Sequence, residues 1–236
     1  MVDPRNKLNE LTNKEWIIET KSVWQSKPPR RDPLKIKHPA TFAESDVERL
    51  IRFFTKSGEK VLDPFLGTGS TLLACENSDR IGTGIELSSE WANVAKKRLS
   101  NIDNSQKHTI YQGDSRDILP EIPDSSFDFI VTSPPYWMIL QKDNDHKAKR
   151  ERKSKGFETK YSDSDVDLGN HKSYDGFLEE LGTIFRECKR VLSSKKYMAV
   201  IVSDFRHKSE FIPYHFHITK LVETIGFTLE GITILA

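Results

Sequence analysis

From Lys60 to Ala236, short apolar runs alternate with stretches of helical periodicity, and few folds accept that pattern. "KVLDPF" reads as a buried strand, "STLLACENS" as a helix, "RIGTGIEL" as a second strand and "SSEWANVAKKRLSNI" as a second helix. "HTIYQGD" and "FDFIVTSPPY" are a third and a fourth strand. The long amphipathic helix "SYDGFLEELGTIFRECKRVL", the strand "KYMAVIVSD", the helix "IPYHFHITKLVETIGF" and a last strand "TLEGITILA" follow. Ahead of them "AESDVERLIRFFTK" puts Val47, Leu50, Ile51 and Phe54 on one helix face, with Ser45 as the expected cap. Strands alternating with helices of this length build βαβ units, so the expected fold class is α/β: a mostly parallel sheet with helices on both faces. Such sheets bind ligands at the carboxyl ends of their strands.

At 236 residues, 36% of them hydrophobic, the chain can bury one sizeable core. The prolines of "SKPPRRDPLKIKHPA" predict an extended N-terminal segment over residues 1–37, with one domain over 38–236. A net charge of +1 leaves nucleic-acid contact to local patches. One such patch is residues 142–160, with eight Lys/Arg against four Asp/Glu; it predicts a mobile basic insertion over 138–172. Two isolated cysteines, Cys75 and Cys188, fit a reducing compartment and frame neither a disulfide scaffold nor a zinc cluster. The start has no apolar leader, and no run approaches the ~18 apolar residues of a membrane span, so a cytoplasmic protein with no membrane partner is expected.

The turn after the first strand of the domain is "DPFLGTGST", where Gly67 and Gly69 allow a tight turn and close backbone approach to a ligand. A dinucleotide fingerprint would need glycine at 72, which is Leu72, and no GxxxxGK[ST] phosphate loop is present. Three successive strand ends carry Asp63, Glu86 and Asp114. Each alone is an ordinary loop acid. Together they offer Glu86 to a ribose diol and Asp114 to an adenine amine, while repelling pyrophosphate. A nucleoside bearing a cation, S-adenosylmethionine, fits that set.

The fourth strand ends in "TSPPYW". Ser133, Pro134, Pro135 and Tyr136 match [DNS]-P-P-[YFW], and with "DPFLGTGST" and the upstream "KHPATFAESDVERLI" the chain resembles the DNA amino-methyltransferases from about His38 onward. The resemblance implies the Rossmann-like class I S-adenosylmethionine-dependent methyltransferase fold and a double-stranded DNA substrate. It also implies methyl transfer to the exocyclic amine of a flipped base. His38, Thr41 and Phe42 are then expected at the cofactor's methionine end. The turn residues Asp63, Pro64, Phe65, Gly67, Gly69 and Thr71 join them at the cofactor, as do Glu86, Leu87, Asp114 and Ser115. Catalysis falls to Ser133, Pro134, Pro135 and Tyr136. The Ser133 oxygen and the Pro134 carbonyl are acceptors for a base NH2, the rigid prolines hold that carbonyl, and Tyr136 is a surface on which a flipped base can stack. Lys149, Arg150, Arg152 and Lys153 are the expected DNA contacts.

Serine at the first motif position and "HPATF" lean toward N4 of cytosine, with N6 of adenine as the alternative. Carbon-5 methylation is discounted, because neither cysteine neighbours a proline or a strand end. RNA and protein-glutamine methylation are weaker readings, and Leu72 with "SPPY" argues against a nicotinamide enzyme. The motif order and the absence of an evident target-recognition domain depart from the commonest pattern. So does the ending on "GITILA", where this fold adds one more antiparallel strand. They raise the expectation of a fragment, or of a cofactor-binding subunit inactive without a second polypeptide. A cognate restriction endonuclease is the other expected partner.

Overall fold

The computed structural model describes residues 2–26, 33–35, 42–100, 107–137 and 167–236. In chain order it contains α1 (Asn13–Glu19), β1 (Val23–Trp24), α2 (Glu44–Phe54), β2 (Lys60–Asp63), α3 (Ser70–Asn77), β3 (Ile81–Glu86) and α4 (Ser89–Leu99). Then come β4 (Thr109–Gln112), α5 (Ser115–Ile118), β5 (Phe127–Thr132), α6 (Tyr174–Val191), β6 (Leu192–Val200), β7 (Phe205–His207), β8 (Glu210–Ile212), α7 (Tyr214–Thr224) and β9 (Ile234–Leu235). Five strands form the central sheet in the order β4-β3-β2-β5-β6, and every neighbouring pair is parallel. All five carboxyl ends therefore open on one edge.

Strand alternation decides which helices cover which face. Val61 of β2 with Phe129 and Val131 of β5 pack against Val47 and Ile51 of α2 and Ala74 and Cys75 of α3. One residue along, Leu62 and Ile130 point the other way, into a core with Phe177, Leu181, Ile184 and Phe185 of α6. The central strands are buried on both faces, as a parallel sheet requires.

Several expectations change. Residues 1–37 are not simply extended: Thr12 and Glu15 make a reciprocal capping box that starts α1. Helix α2 begins after Ala43, with Ser45 inside its first turn rather than capping it. β6 starts at Leu192, earlier than "KYMAVIVSD", and an unforeseen hairpin with a two-residue turn, β7–β8, precedes α7. "TLEGITILA" does not extend the central sheet. Only Ile234–Leu235 is a strand, and it pairs in parallel with Val23–Trp24, so the two ends of the chain form their own ribbon. Within 138–172, residues 138–166 lie outside the described part. The rest holds a tight turn, Leu168–Asn170, with Leu168 buried, which is not the mobile loop expected there.

Candidate cofactor and target-base site

The turn after β2 is held from below. Asp63 is fully buried and accepts hydrogen bonds from Thr71 Oγ1 (2.5 Å), Thr132 Oγ1 (2.7 Å) and the Phe65 amide (3.0 Å). It thus ties β2, α3 and β5 together, and burial pushes its pKa up. Gly67 and Gly69 take positive φ, 57° and 84°, and a Cβ on Gly69 would lie 2.9 Å from Ala95 Cβ. Arg98 of α4 secures the turn from the side, donating to the Thr68 carbonyl (2.5 Å) and to Glu44 of α2 (2.5 Å).

A pocket opens over the strand ends. Its wall takes Pro64 to Thr68 and Ser70 from the turn, Glu86 to Ser88 from the end of β3, Asp114 and Ser115 from the end of β4, and Ser133 to Pro135 from the end of β5. Phe42, Trp91, Asp167, Leu168 and Ile184 complete it. Of the expected cofactor residues, Phe42, Pro64, Phe65, Gly67, Glu86, Leu87, Asp114 and Ser115 line this pocket. Asp63, Gly69 and Thr71 lie outside its wall and act by shaping the turn. His38 and Thr41, and the expected DNA contacts Lys149, Arg150, Arg152 and Lys153, lie outside the described residues. The sequence reading missed Trp91, Asp167, Leu168 and Ile184. Trp91 stands at the third helical position behind the Ser88 cap, a readable signal, whereas Asp167 and Ile184 arrive by tertiary packing alone.

Glu86 accepts from the Gly67 amide (2.7 Å) and the Ser88 amide (2.8 Å), and burial pushes its pKa up to about 7. At Asp114 burial pulls the pKa upward, but hydrogen bonds from the Arg116 guanidinium and amide outweigh it and hold the acid below its ordinary value. Arg116 is itself anchored to Glu180 of α6 (2.7 Å). Three carboxylates, Glu86, Asp114 and Asp167, face a wall that holds no Lys or Arg among the described residues. The Gly67 amide, which a phosphate would need, already serves Glu86. This set of acceptors suits an uncharged diol and a cation beside an apolar lining, as in S-adenosylmethionine.

The "SPPYW" turn is fixed on three sides. Tyr214 Oη donates to the Pro135 carbonyl (3.0 Å), the Ser203 amide donates to Tyr136 Oη (2.9 Å), and Trp137 Nε1 donates to the His171 carbonyl (2.8 Å). Among the described residues, neither the Ser133 hydroxyl nor the Pro134 carbonyl has a partner, and both residues face the pocket. Tyr136 is off the pocket wall, packed edge-on to Phe205 at 5.9 Å. Cys75 and Cys188 are buried away from the site, with their thiol pKa values pushed up by burial, so neither is placed as a nucleophile.

Residues 2–97 and 127–234 match the family described as DNA methylase, the N6 and N4 methyltransferases. The chain belongs to that family. Its fold is the Rossmann-like class I methyltransferase fold, and the family's cofactor is S-adenosylmethionine. Among curated relatives, the Type II methyltransferase M.SmaI of Serratia marcescens is 35% identical over 79 residues, 34% of this chain and 26% of that protein. M.Cfr9I of Citrobacter freundii is 40% identical over 68 residues, 29% of this chain and 23% of its own length. The matched stretches thus span about a quarter of these relatives. A solved SAM-dependent methyltransferase from Aquifex aeolicus overlays 84% of each chain at 19% identity and a TM-score of 0.47. Among the described residues, no helix is long and apolar enough to cross a membrane.

Proposed function

We propose that this methylase is a site-specific DNA methyltransferase of a restriction-modification system, acting on the exocyclic amine of a flipped base, N4 of cytosine in preference to N6 of adenine. The observation that supports the reading is that Ser133 Oγ and the Pro134 carbonyl, neither with a partner among the described residues, belong to residues on the wall of the pocket over the strand ends. When bound, S-adenosylmethionine supplies an electrophilic methyl group on a sulfonium. Ser133 and Pro134 accept the two N–H groups of the base and help to localise the amine's lone pair for in-line attack. Proline fixes φ at 134 and 135, and Tyr214 holds the Pro135 carbonyl, so these acceptors need no reorganisation during transfer. The methyl group would pass to the amine nitrogen, the sulfonium would be left as the neutral thioether S-adenosylhomocysteine, and the surplus amine proton would leave to solvent. Glu86 binds the ribose diol, and Phe42 packs at the methionine end.

The preference for cytosine rests on the resemblance of the serine-first motif, because a neutral hydroxyl can accept from the amine of either base and donate to the adjacent ring nitrogen, N3 of cytosine or N1 of adenine. Partners follow from the same reading: double-stranded DNA, a cognate endonuclease, and a second polypeptide where target recognition is supplied in trans.

Nucleoside mass spectrometry on mixed-sequence DNA incubated with protein and S-adenosylmethionine tests the reading, with Ser133→Ala alongside. N4-methylcytosine, reduced by about two orders of magnitude in Ser133→Ala at unchanged cofactor affinity, is expected. N6-methyladenine would overturn the choice of base. No methylated nucleoside despite cofactor binding would overturn stand-alone activity.

A further inference from the structure

The hairpin β7–β8 follows the end of β6 and packs its inner face on the catalytic turn. Phe205 meets Tyr136 edge-on at 5.9 Å, and His207 lies 4.6 Å from the Trp137 ring. The chain entering the hairpin donates the Ser203 amide to Tyr136 Oη, and the chain leaving it donates Tyr214 Oη to the Pro135 carbonyl. Both legs are therefore fastened to "PPYW".

The outer face is built differently. Arg206 pairs across the ladder with Phe211, and its guanidinium stands 5.8 Å from that ring. Phe211 is 52% exposed although it belongs to a strand rooted in the core by its neighbour Ile212. Lys208 and Ser209 form the turn with φ of 45° and 70°, which puts the Lys208 ammonium at the exposed tip. Just beyond, on α7, Phe216 is 51% exposed with Lys220 over its ring at 5.7 Å. Glu210, the acid of the hairpin, opposes His207 on the inner face. Two cations beside one exposed aromatic ring on the ribbon, with Phe216 and the Glu223-paired Lys220 on the adjoining helix, fit a polyanion with stackable, apolar faces.

We infer that the outer face of the β7–β8 hairpin is a DNA-contacting surface, with Arg206 and Lys208 on backbone phosphates and Phe211 against sugar or base. The inference rests on the DNA reading above and adds to it a second contact element, fastened directly to the turn that receives the target base. The hairpin sets the register of the duplex relative to Ser133, because its inner face cannot move without moving Tyr136 and Trp137.

The test is binding of the whole chain to a labelled mixed-sequence duplex of about 30 base pairs, titrated over a range of salt in parallel with S-adenosylhomocysteine binding. Compared are the wild type, Arg206→Ala/Lys208→Asn (asparagine tolerates the positive φ of the turn) and Phe211→Ala. Losing two phosphate contacts lowers the slope of log K against log salt by about 2 and weakens binding at low salt at least about tenfold, with cofactor affinity unchanged. Lys208→Asn alone, at a tip with no packing role, gives about half that change in slope. Wild-type slope and affinity in the double variant would overturn the hairpin's role and leave the DNA reading standing. A wild type that binds cofactor but shows no salt-dependent DNA affinity would overturn the DNA reading and the inference together.

Discussion

Glu86, half-buried, and Asp63, fully buried, both have raised pKa values, yet they do different work. Glu86 looks into the pocket through two backbone amides. Its ordinary value of 4.5 rises to about 7, so the protein without cofactor has the full benefit of a neutral Glu86 below about pH 4.5 and loses it as pH climbs through 7. Thermal melts from pH 4.5 to 8 are expected to show that decline in wild type and a flatter profile in Glu86→Gln. Calorimetry with S-adenosylhomocysteine should show affinity rising through pH 7 in the wild type only, because the ribose diol donates to the ionised acid. Asp63 lies outside the pocket wall. Asp63→Ala leaves two buried threonine hydroxyls and the Phe65 amide without their acceptor, and a loss of about 3 kcal/mol or more in urea unfolding is expected. The sequence put an acid at both strand ends and could not tell these roles apart. The difference lies in which way each carboxylate points, and the hydroxyls that capture Asp63 come from positions 71 and 132.

At the scale of elements, the strands and helices of the sheet were legible because their apolar spacing has only one way to be buried on both faces. Phe129 and Ile130 are neighbours in sequence that serve opposite cores. Less legible were elements that owe their existence to docking: the hairpin, whose Phe205 and Ile212 are paid for by contacts with "PPYW" and α7, and the turn at Leu168. Helix α1 was readable in principle from T-x-x-E, but the nearby prolines drew the reading toward an extended chain. The glycine turn depends on α4 lying close. Gly69→Ala combines a φ of 84° with a 2.9 Å approach to Ala95, so α4 must shift and Arg98 lose its grip on Thr68. A fall of several degrees in melting temperature, with cofactor binding weakened at least about tenfold, is the expected outcome.

In the molecule as a whole, the candidate site was legible wherever it followed strand ends and was missed wherever a distant segment closes over it, as Asp167 and Ile184 do. The N-terminal region is likewise integral. Asn9 Nδ2 donates to the Phe53 carbonyl, Trp16 stacks on Phe53 at 5.3 Å, and Arg49 lies 3.9 Å over the Trp24 ring, all against α2. Removing residues 2–24 should therefore lower the urea midpoint clearly. Removing 230–236, whose side chains are exposed and which contribute the backbone pairing to Val23–Trp24, should lower it less, and paired denaturation curves decide between them. The tryptophans are shared out across this architecture: Trp16 and Trp24 brace the N-terminal elements, Trp91 stands in the cofactor wall, and Trp137 leans on the hairpin's His207. On the proposed reading the protein carries its own fluorophores at both the cofactor end and the base end of the site. Quenching that survives Trp137→Phe but vanishes in Trp91→Phe reports the nucleoside entering, and the reverse pattern reports the duplex arriving, so the order of the two events can be timed by light without a label.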